Sequence, residues 1–260
     1  MNRKKSIRED IRKFYDTWFP ETFPGYIKTL MNLEEMLVVD IIENLEEYRD
    51  IKRKRGMVLD CGCGFGSYYS LTKDLNTLYL DLSYNQLKRF GKIYGLRSNR
   101  ICGDILNLPF KDNTFDLLLC INVLEHVKDI DRALKEFHRV LKDKGILLVV
   151  VVNRESIIRE EIFNEFRIYH RGLSLKNFEV DGFEIVKYTT FYFLPPIFKI
   201  LPVFILNCFI DKIYLKLEYR LRDLFKGKGQ FLCVVLRKSQ YNKPKNNNKK
   251  QTTVEILNKK

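Results

Sequence analysis

Apolar residues along this chain fall into short, nearly unbroken runs, and between the runs they recur every three to four positions. The runs at 57–61, 77–81, 99–102, 115–121 and 145–152 read as strands, and stretches such as 83–94 and 130–142 read as helices. One run, "GILLVVVV", is apolar at nearly every position, so both of its faces need cover, as expected of a central parallel strand. Strand and helix alternating in this way predict a doubly wound, mostly parallel α/β sheet. Farther on, "GFEIVKYTTFYFL" (182–194) and "QFLCVVLRK" (230–238) are two more strand-like runs, separated by an insertion at 195–229.

The ends read differently. Residues 6–50 carry a helical period through Leu30, Leu33, Met36, Leu37, Asp40 to Ile42 and Leu45, and predict a cap of two helices split near Pro20 to Gly25. The final "YNKPKNNNKKQTTVEILNKK" is polar and low in complexity, with too little apolar surface to offset the entropy of ordering, and predicts a disordered tail. The expected organisation is a helical cap at 1–55, one domain at 56–238 and a basic tail at 239–260. A chain of 260 residues, 45% hydrophobic, suffices for one such domain with appendages. The net charge of +13 is concentrated in residues 1–13, in "KRKR" at 52–55 and in residues 237–260, which leaves a nearly neutral body. Charge in "MNRKKSIREDIRKFY" replaces the apolar core of a signal peptide, so a cytoplasmic protein is expected. The cysteines at 61, 63, 102, 120, 208 and 233 lack the spacing of a zinc site and the density of a disulfide scaffold; buried thiols and no metal are the expectation.

The chemistry concentrates where the first strand run turns into a helix, in "VLDCGCGFG" (58–66). A dinucleotide-binding turn reads G-x-G-x-x-G, because a pyrophosphate needs backbone N–H groups and no competing acid. Here the pattern is D-x-G-x-G-x-G, with Asp60 ahead of Gly62, Gly64 and Gly66. A carboxylate at that point repels phosphate and attracts a cation such as an ammonium or a sulfonium, and glycines let the backbone approach a ligand closely. Asp81 ends the second strand run, where a carboxylate can accept hydrogen bonds from two ribose hydroxyls. Asp104 follows the third, in "CGDILNLPF", where it can accept from an adenine amine with Ile105 beside the ring. Each acid also has a plain reading as a helix cap or solvated turn.

Taken in order, "VLDCGCGFG", "YLDLSYNQL", "GDILNLPF", "NTFDLLLCINVLEHV" and "ALKEFHRVLKDKGILLVVVVN" resemble the successive motifs of the class I S-adenosylmethionine-dependent methyltransferases, and more narrowly their quinone-biosynthesis and small-molecule branch. The resemblance spans residues 56–153. It implies a Rossmann-like, seven-stranded sheet finished by a C-terminal antiparallel hairpin. It also implies S-adenosylmethionine as cofactor, held by Asp60, Gly62, Cys63, Gly64, Gly66, Asp81, Leu82, Asp104, Ile105 and Asn122. The glycine loop would face the methionine part, Asp81 the ribose, Asp104 with Ile105 the adenine, and Asn122 the transferred methyl. The family's Pro-Gly-Gly turn before the fifth strand is replaced by "KDKG" (142–145).

Methyl transfer from a sulfonium asks for alignment and exclusion of water more than for strong acids, but an acceptor proton still has to leave. His126, in "LEHV", and His170, in "IYHRGLS", are the candidate bases, each weighed against a packing role; His138, within "ALKEFHRVL", reads as structural. Tyr15 and Trp18 can close over the cofactor or belong to the core of the cap. In the insertion, "FYFLPPIFKILPVFILNCFI" is broken by Lys199, Asn207 and three prolines, so it falls short of the roughly 18 uninterrupted residues of a membrane span. The following "DKIYLKLEYRLRDLFKGKG" sets Ile213, Leu217, Leu221, Leu224 and Phe225 on one face among Lys212, Lys216, Arg220, Arg222 and Lys226. This suits a membrane interface or a lipophilic entrance, or else a lid packed on its own domain. The expected function is methylation of a small, lipophilic acceptor, with an anionic membrane surface as peripheral partner. A tRNA or other nucleic-acid methyltransferase is the alternative. It is disfavoured because "CINVLEHV" holds neither an Asn-Pro-Pro-aromatic nor a Pro-Cys motif and the charge sits on tails and a linker. A non-catalytic adaptor is the third reading, opposed by the three intact acids.

Overall fold

The computed structural model describes residues 2–95, 99–158, 171–195, 200–240 and 255–256. The alternation is present as β1 (Met57–Cys61), β2 (Asn76–Asp81), β3 (Arg100–Cys102), β4 (Phe115–Ile121), β5 (Leu141–Val152), β6 (Phe183–Phe191) and β7 (Phe231–Lys238). The spatial order is β3-β2-β1-β4-β5-β7-β6. Strands β3 to β5 are parallel, and β7 pairs antiparallel with both β5 and β6. The chain winds outward from β1 in one direction and from β4 in the other, so a crevice opens at their carboxyl ends, the place where such sheets bind ligands.

The β5 run is buried on both faces. Ile146, Leu148 and Val150 join one core with β7's Cys233 and Val235, and Leu147, Val149 and Val151 join the other with Leu232, Val234 and Leu236. After α1 (Asn2–Asp16), the helices α2 (Gly25–Glu43) and α3 (Glu46–Lys54) cover the first face and supply core residues from Ile27 to Ile51. After β1 comes the short α4 (Tyr69–Thr72), and α5 (Tyr84–Tyr94) follows β2. On the second face, α6 (Ile130–Val140) buries Ala133, Leu134 and Phe137. The insertion forms α7 (Val203–Phe209), a π turn at Ile210–Tyr214 and α8 (Leu215–Leu224), and its Leu206, Ile210 and Tyr214 pack into the core shared with α2.

Four expectations need correction. The cap holds three long helices rather than two, because Asn44 closes α2 and Glu46 begins α3. The "KRKR" stretch is the end of α3 and not a linker: Lys52, Arg53 and Lys54 occupy its last turn, where cations offset the negative end of the helix dipole, and Arg55 caps it at φ +52°. Helix α6 stops at Val140, and "KDKG" is a bulge inside β5. Leu141 pairs with Phe115 and Ile146 with Leu117, so the residues between loop out through Lys144 at φ +62°. The expected disordered tail lies mostly outside the described residues, but Glu255–Ile256 forms β8, which pairs parallel with Lys187 and Tyr188 at the free edge of β6. Four cysteines are buried and all six are unbridged, whereas Cys102 and Cys208 are exposed. Among the described residues no helix is long and apolar enough to cross a membrane.

Candidate active site

The glycine loop leaves β1 by folding its backbone over β2: the N–H groups of Gly62 and Cys63 donate to the carbonyl of Leu80 at 2.6 and 3.1 Å. All three glycines have positive φ, but they serve two purposes. A Cβ on Gly62 would lie 2.3 Å from a Val123 methyl, and one on Gly66 would strike the rings of Phe90 and Tyr94, so both are required by packing. A Cβ on Gly64 would meet nothing within 4 Å. Of the three, only Gly64 presents its backbone to open space, which narrows the expectation that all three make room for a ligand.

The acids beside the loop are held out of water. Asp60, 4% exposed, has its carboxyl pushed up to about 7, by burial first and by the charge of Asp81 second. Asp81 is pushed up to about 6, again by burial first, although the N–H groups of Ser83 and Gly64 donate to its two oxygens at 2.7 and 2.8 Å and pull the other way. Each carboxylate oxygen has a second lone pair, so Asp81 can still accept from a diol. Two neighbouring carboxylates without a paired cation among the described residues fit a positively charged ligand, and Gly64 gives it room. The residues therefore fit S-adenosylmethionine, whose methionine part carries an ammonium and a sulfonium.

Asp104 is placed differently from the expectation. Its Oδ1 accepts from the Leu106 N–H at 3.0 Å and its Oδ2 pairs with Arg8 Nε of α1 at 3.1 Å, so an adenine amine would have to share or displace that arginine. The rest of α1 also closes on this rim. Ser83 Oγ donates to Asp16 at 2.5 Å, Gln86 Nε2 donates to the carbonyls of Tyr15 and Trp18 at 2.5 and 2.9 Å, and Trp18 lies against Phe65 of the glycine loop with ring centroids 6.1 Å apart. Tyr15 and Trp18 are thus roof residues rather than buried core.

Beyond β4 the backbone turns at Asn122, in the left-handed region at φ +56°. Its amide Nδ2 donates to Glu34 Oε1 from α2 and lies 3.5 Å from Tyr68 Oη, while its buried Oδ1 has no hydrogen-bond partner. Glu34 is itself 4% exposed, an acid that the sequence reading passed over. His126 is buried in the turn Leu124–His126, and its Nε2 meets the hydroxyl of Tyr15 at 2.9 Å, which ties it to α1. His138 is bonded to the carbonyl of Ser239 at 3.0 Å on the far face, consistent with a structural role. Cys63 is buried near Tyr79 and Phe90, with its thiol raised well above the usual range by burial, and Ile105 belongs to the core below the sheet. Leu82 is half-buried directly after Asp81. His170 lies outside the described residues.

Residues 59–149 match the family described as "Methyltransferase domain". The chain is 54% identical over 228 residues to an uncharacterised protein of Methanocaldococcus jannaschii, covering 88% of this chain and 98% of that one. It is 32% identical over 114 residues to the probable tRNA methyltransferase 9B of Mus musculus, covering 41% of this chain but 24% of that protein. Among solved structures, the complex between the Haloferax volcanii Trm112 methyltransferase activator and the putative methyltransferase holds a chain that superposes with a TM-score of 0.63 at 17% identity, covering 90% of this chain and 100% of that one. At that identity the likeness is one of fold.

Proposed function

The chain belongs to the class I S-adenosylmethionine-dependent methyltransferases, and on that premise we propose that it methylates a small, lipophilic acceptor. The observation that carries this reading is the convergence of three elements on the Asn122 end of the site. Helix α1 closes it through Tyr15 and His126, α2 through Glu34, and the glycine-loop side through Tyr68. Such convergence leaves little width for a macromolecular acceptor, which suits a small molecule, and exclusion of water protects the methyl group. Lipophilicity is supported by the insertion, which packs on α2 and turns Ile213, Leu217 and Leu224 outward.

The bound cofactor supplies an electrophilic methyl on a sulfonium. The chain's own residues have to align the acceptor, exclude water and receive its proton. We assign the proton to Glu34, a buried carboxylate held by Asn122 where the fourth strand ends; His126 is engaged with the roof and is the weaker candidate. Glu34→Gln is expected to lower kcat about 10²- to 10⁴-fold and to remove the acidic limb of its pH profile, with cofactor affinity retained. An unchanged profile would return the role to another group.

The acceptor class is tested by incubating purified protein and methyl-labelled cofactor with a total lipid extract and, separately, with unmodified tRNA. Label in the lipid fraction is expected; label in tRNA would overturn the reading. That second reading is favoured by one likeness: the mouse relative is a probable tRNA methyltransferase.

A further inference from the structure

Every fourth residue of the insertion from Leu206 to Arg222 points inward: Leu206, Ile210, Tyr214, Glu218 and Arg222 are all buried. In α8 the inward positions are therefore charged. Glu218 accepts hydrogen bonds from the N–H groups of Tyr192 and Phe193 at 2.8 and 3.3 Å and from Arg222 Nε at 3.1 Å, and the Tyr214 hydroxyl also donates to it. This network locks the helix to the end of β6. The outward positions carry the apolar residues that an ordinary surface helix would bury: Ile213 is 55% exposed, Leu217 41% and Leu224 73%, and at the other end Ile200 and Phe204 are each 73% exposed.

We infer that this outward face docks on an anionic lipid bilayer. Singly scattered apolar side chains on a surface need no explanation, but here Ile213, Leu217 and Leu224 recur at helical spacing on one short element. The charge beside them selects the occupant. Lys212, Lys216 and Arg220 form a parallel stripe one residue earlier in the helical repeat, and Lys226 and Lys228 follow; Asp211 and Asp223 are the exposed acids of the same segment. The excess is positive and borders the apolar stripe, which is the composition of a helix lying in a membrane interface. The helices are also too short to span, so the attachment is peripheral and reversible. Each cation near an anionic surface raises the partition about fivefold, so the three of the stripe together contribute on the order of a hundredfold. The inference rests on the face alone and not on the identity of the methyl acceptor.

The test is co-sedimentation of the full chain with phosphatidylserine–phosphatidylcholine vesicles and with pure phosphatidylcholine vesicles, at low ionic strength and at about 1 M salt, where charges are screened beyond about 3 Å. Binding to the mixed vesicles at low salt, lost at high salt, is expected. The exposed triple Ile213→Gln, Leu217→Gln, Leu224→Gln should weaken it at least about tenfold, and Lys212→Gln, Lys216→Gln, Arg220→Gln should weaken it on the mixed vesicles alone. Calorimetric affinity for S-adenosylmethionine should be unchanged in both, which separates failure of docking from failure of the catalytic reading. Wild type that stays in the supernatant, or binding that neither triple alters, overturns the inference. So does a dimer that the apolar triple converts to monomer, since the face would then be a contact between copies of this chain.

Discussion

Asp60 and Asp81, at the ends of β1 and β2, and Glu218, in α8, are all carboxylates removed from water, yet their surroundings differ. Glu218 has a guanidinium, a hydroxyl and two backbone N–H groups around it. Asp81 accepts from two backbone N–H groups, but no cation among the described residues pairs with either aspartate, and both pKa values are raised, by burial first. A buried carboxylate that the chain satisfies by itself holds structure together. A neighbouring pair with no cation beside it among the described residues fits a positively charged ligand. The contrast gives the two regions separate signatures: changes around Glu218 should cost stability, and changes around Asp81 should cost cofactor affinity.

The largest expected effect is that of Glu218→Ala, which strands the buried Arg222 and removes the acceptor for Tyr192, Phe193 and Tyr214. A loss of about 3–5 kcal/mol in thermal or denaturant unfolding is expected, with S-adenosylmethionine affinity retained wherever the variant is folded. If affinity falls in step with stability, the two regions are not independent. Next, Gly64→Val places a branched side chain at positive φ in the space that faces the ligand. Cofactor binding measured by calorimetry should drop at least about a hundredfold, and the strain should cost about 1–3 kcal/mol of stability. Gly62→Ala supplies the counterpart, since its Cβ strikes Val123 and the damage should appear first in unfolding.

A smaller effect is expected of Asp81→Ala, about 1.5–3 kcal/mol of cofactor affinity from lost hydrogen bonds to a ribose. Normal affinity in that variant would remove the acid from the site. The smallest effect is that of pH. A cation bound beside Asp60 and Asp81 favours their ionised forms and lowers pKa values that stand at about 7 and about 6 in the free protein, so binding releases protons. Affinity should therefore rise as pH rises toward about 7 and level off above it, by at most about tenfold per pH unit for each proton released. Calorimetry in buffers of different ionisation enthalpy reads the proton count directly. The unliganded protein, in turn, should lose stability as pH rises over that range, because both folded-state pKa values lie above those of the unfolded chain.

Much of the glycine-loop half was legible because each local signal agreed with the next: apolar runs of strand length, glycines at the turn and acids at strand ends. The helix and strand boundaries between 57 and 121 moved by one residue or so. The bulge at 142–145 was not legible, since nothing in "KDKG" distinguishes a turn between elements from one inside a strand. Glu34 was missed although a signal existed: it stands four residues after Leu30 and three before Leu37, on the apolar stripe of α2, where an acid is out of place unless something near it needs one. The insertion was legible only in part. Its leucines left an outward face and a packed lid both open, and Arg222 was grouped with the surface cations, but burial follows the stripe that contains Glu218 and Arg222, because Glu218 accepts from the N–H groups just beyond β6.

The roof made by α1 has a kinetic consequence. Asp16 to Ser83, Tyr15 and Trp18 to Gln86, and Arg8 to Asp104 bridge the helix to both sides of the ribose and adenine rim, and none of these contacts is deeply enclosed. For a cofactor held by Asp81 and Asp104, leaving along that rim requires these contacts to part. On that route the lifting of the first helix, and not the methyl transfer alone, is expected to limit turnover, and a weaker roof to trade a tighter grip for faster release.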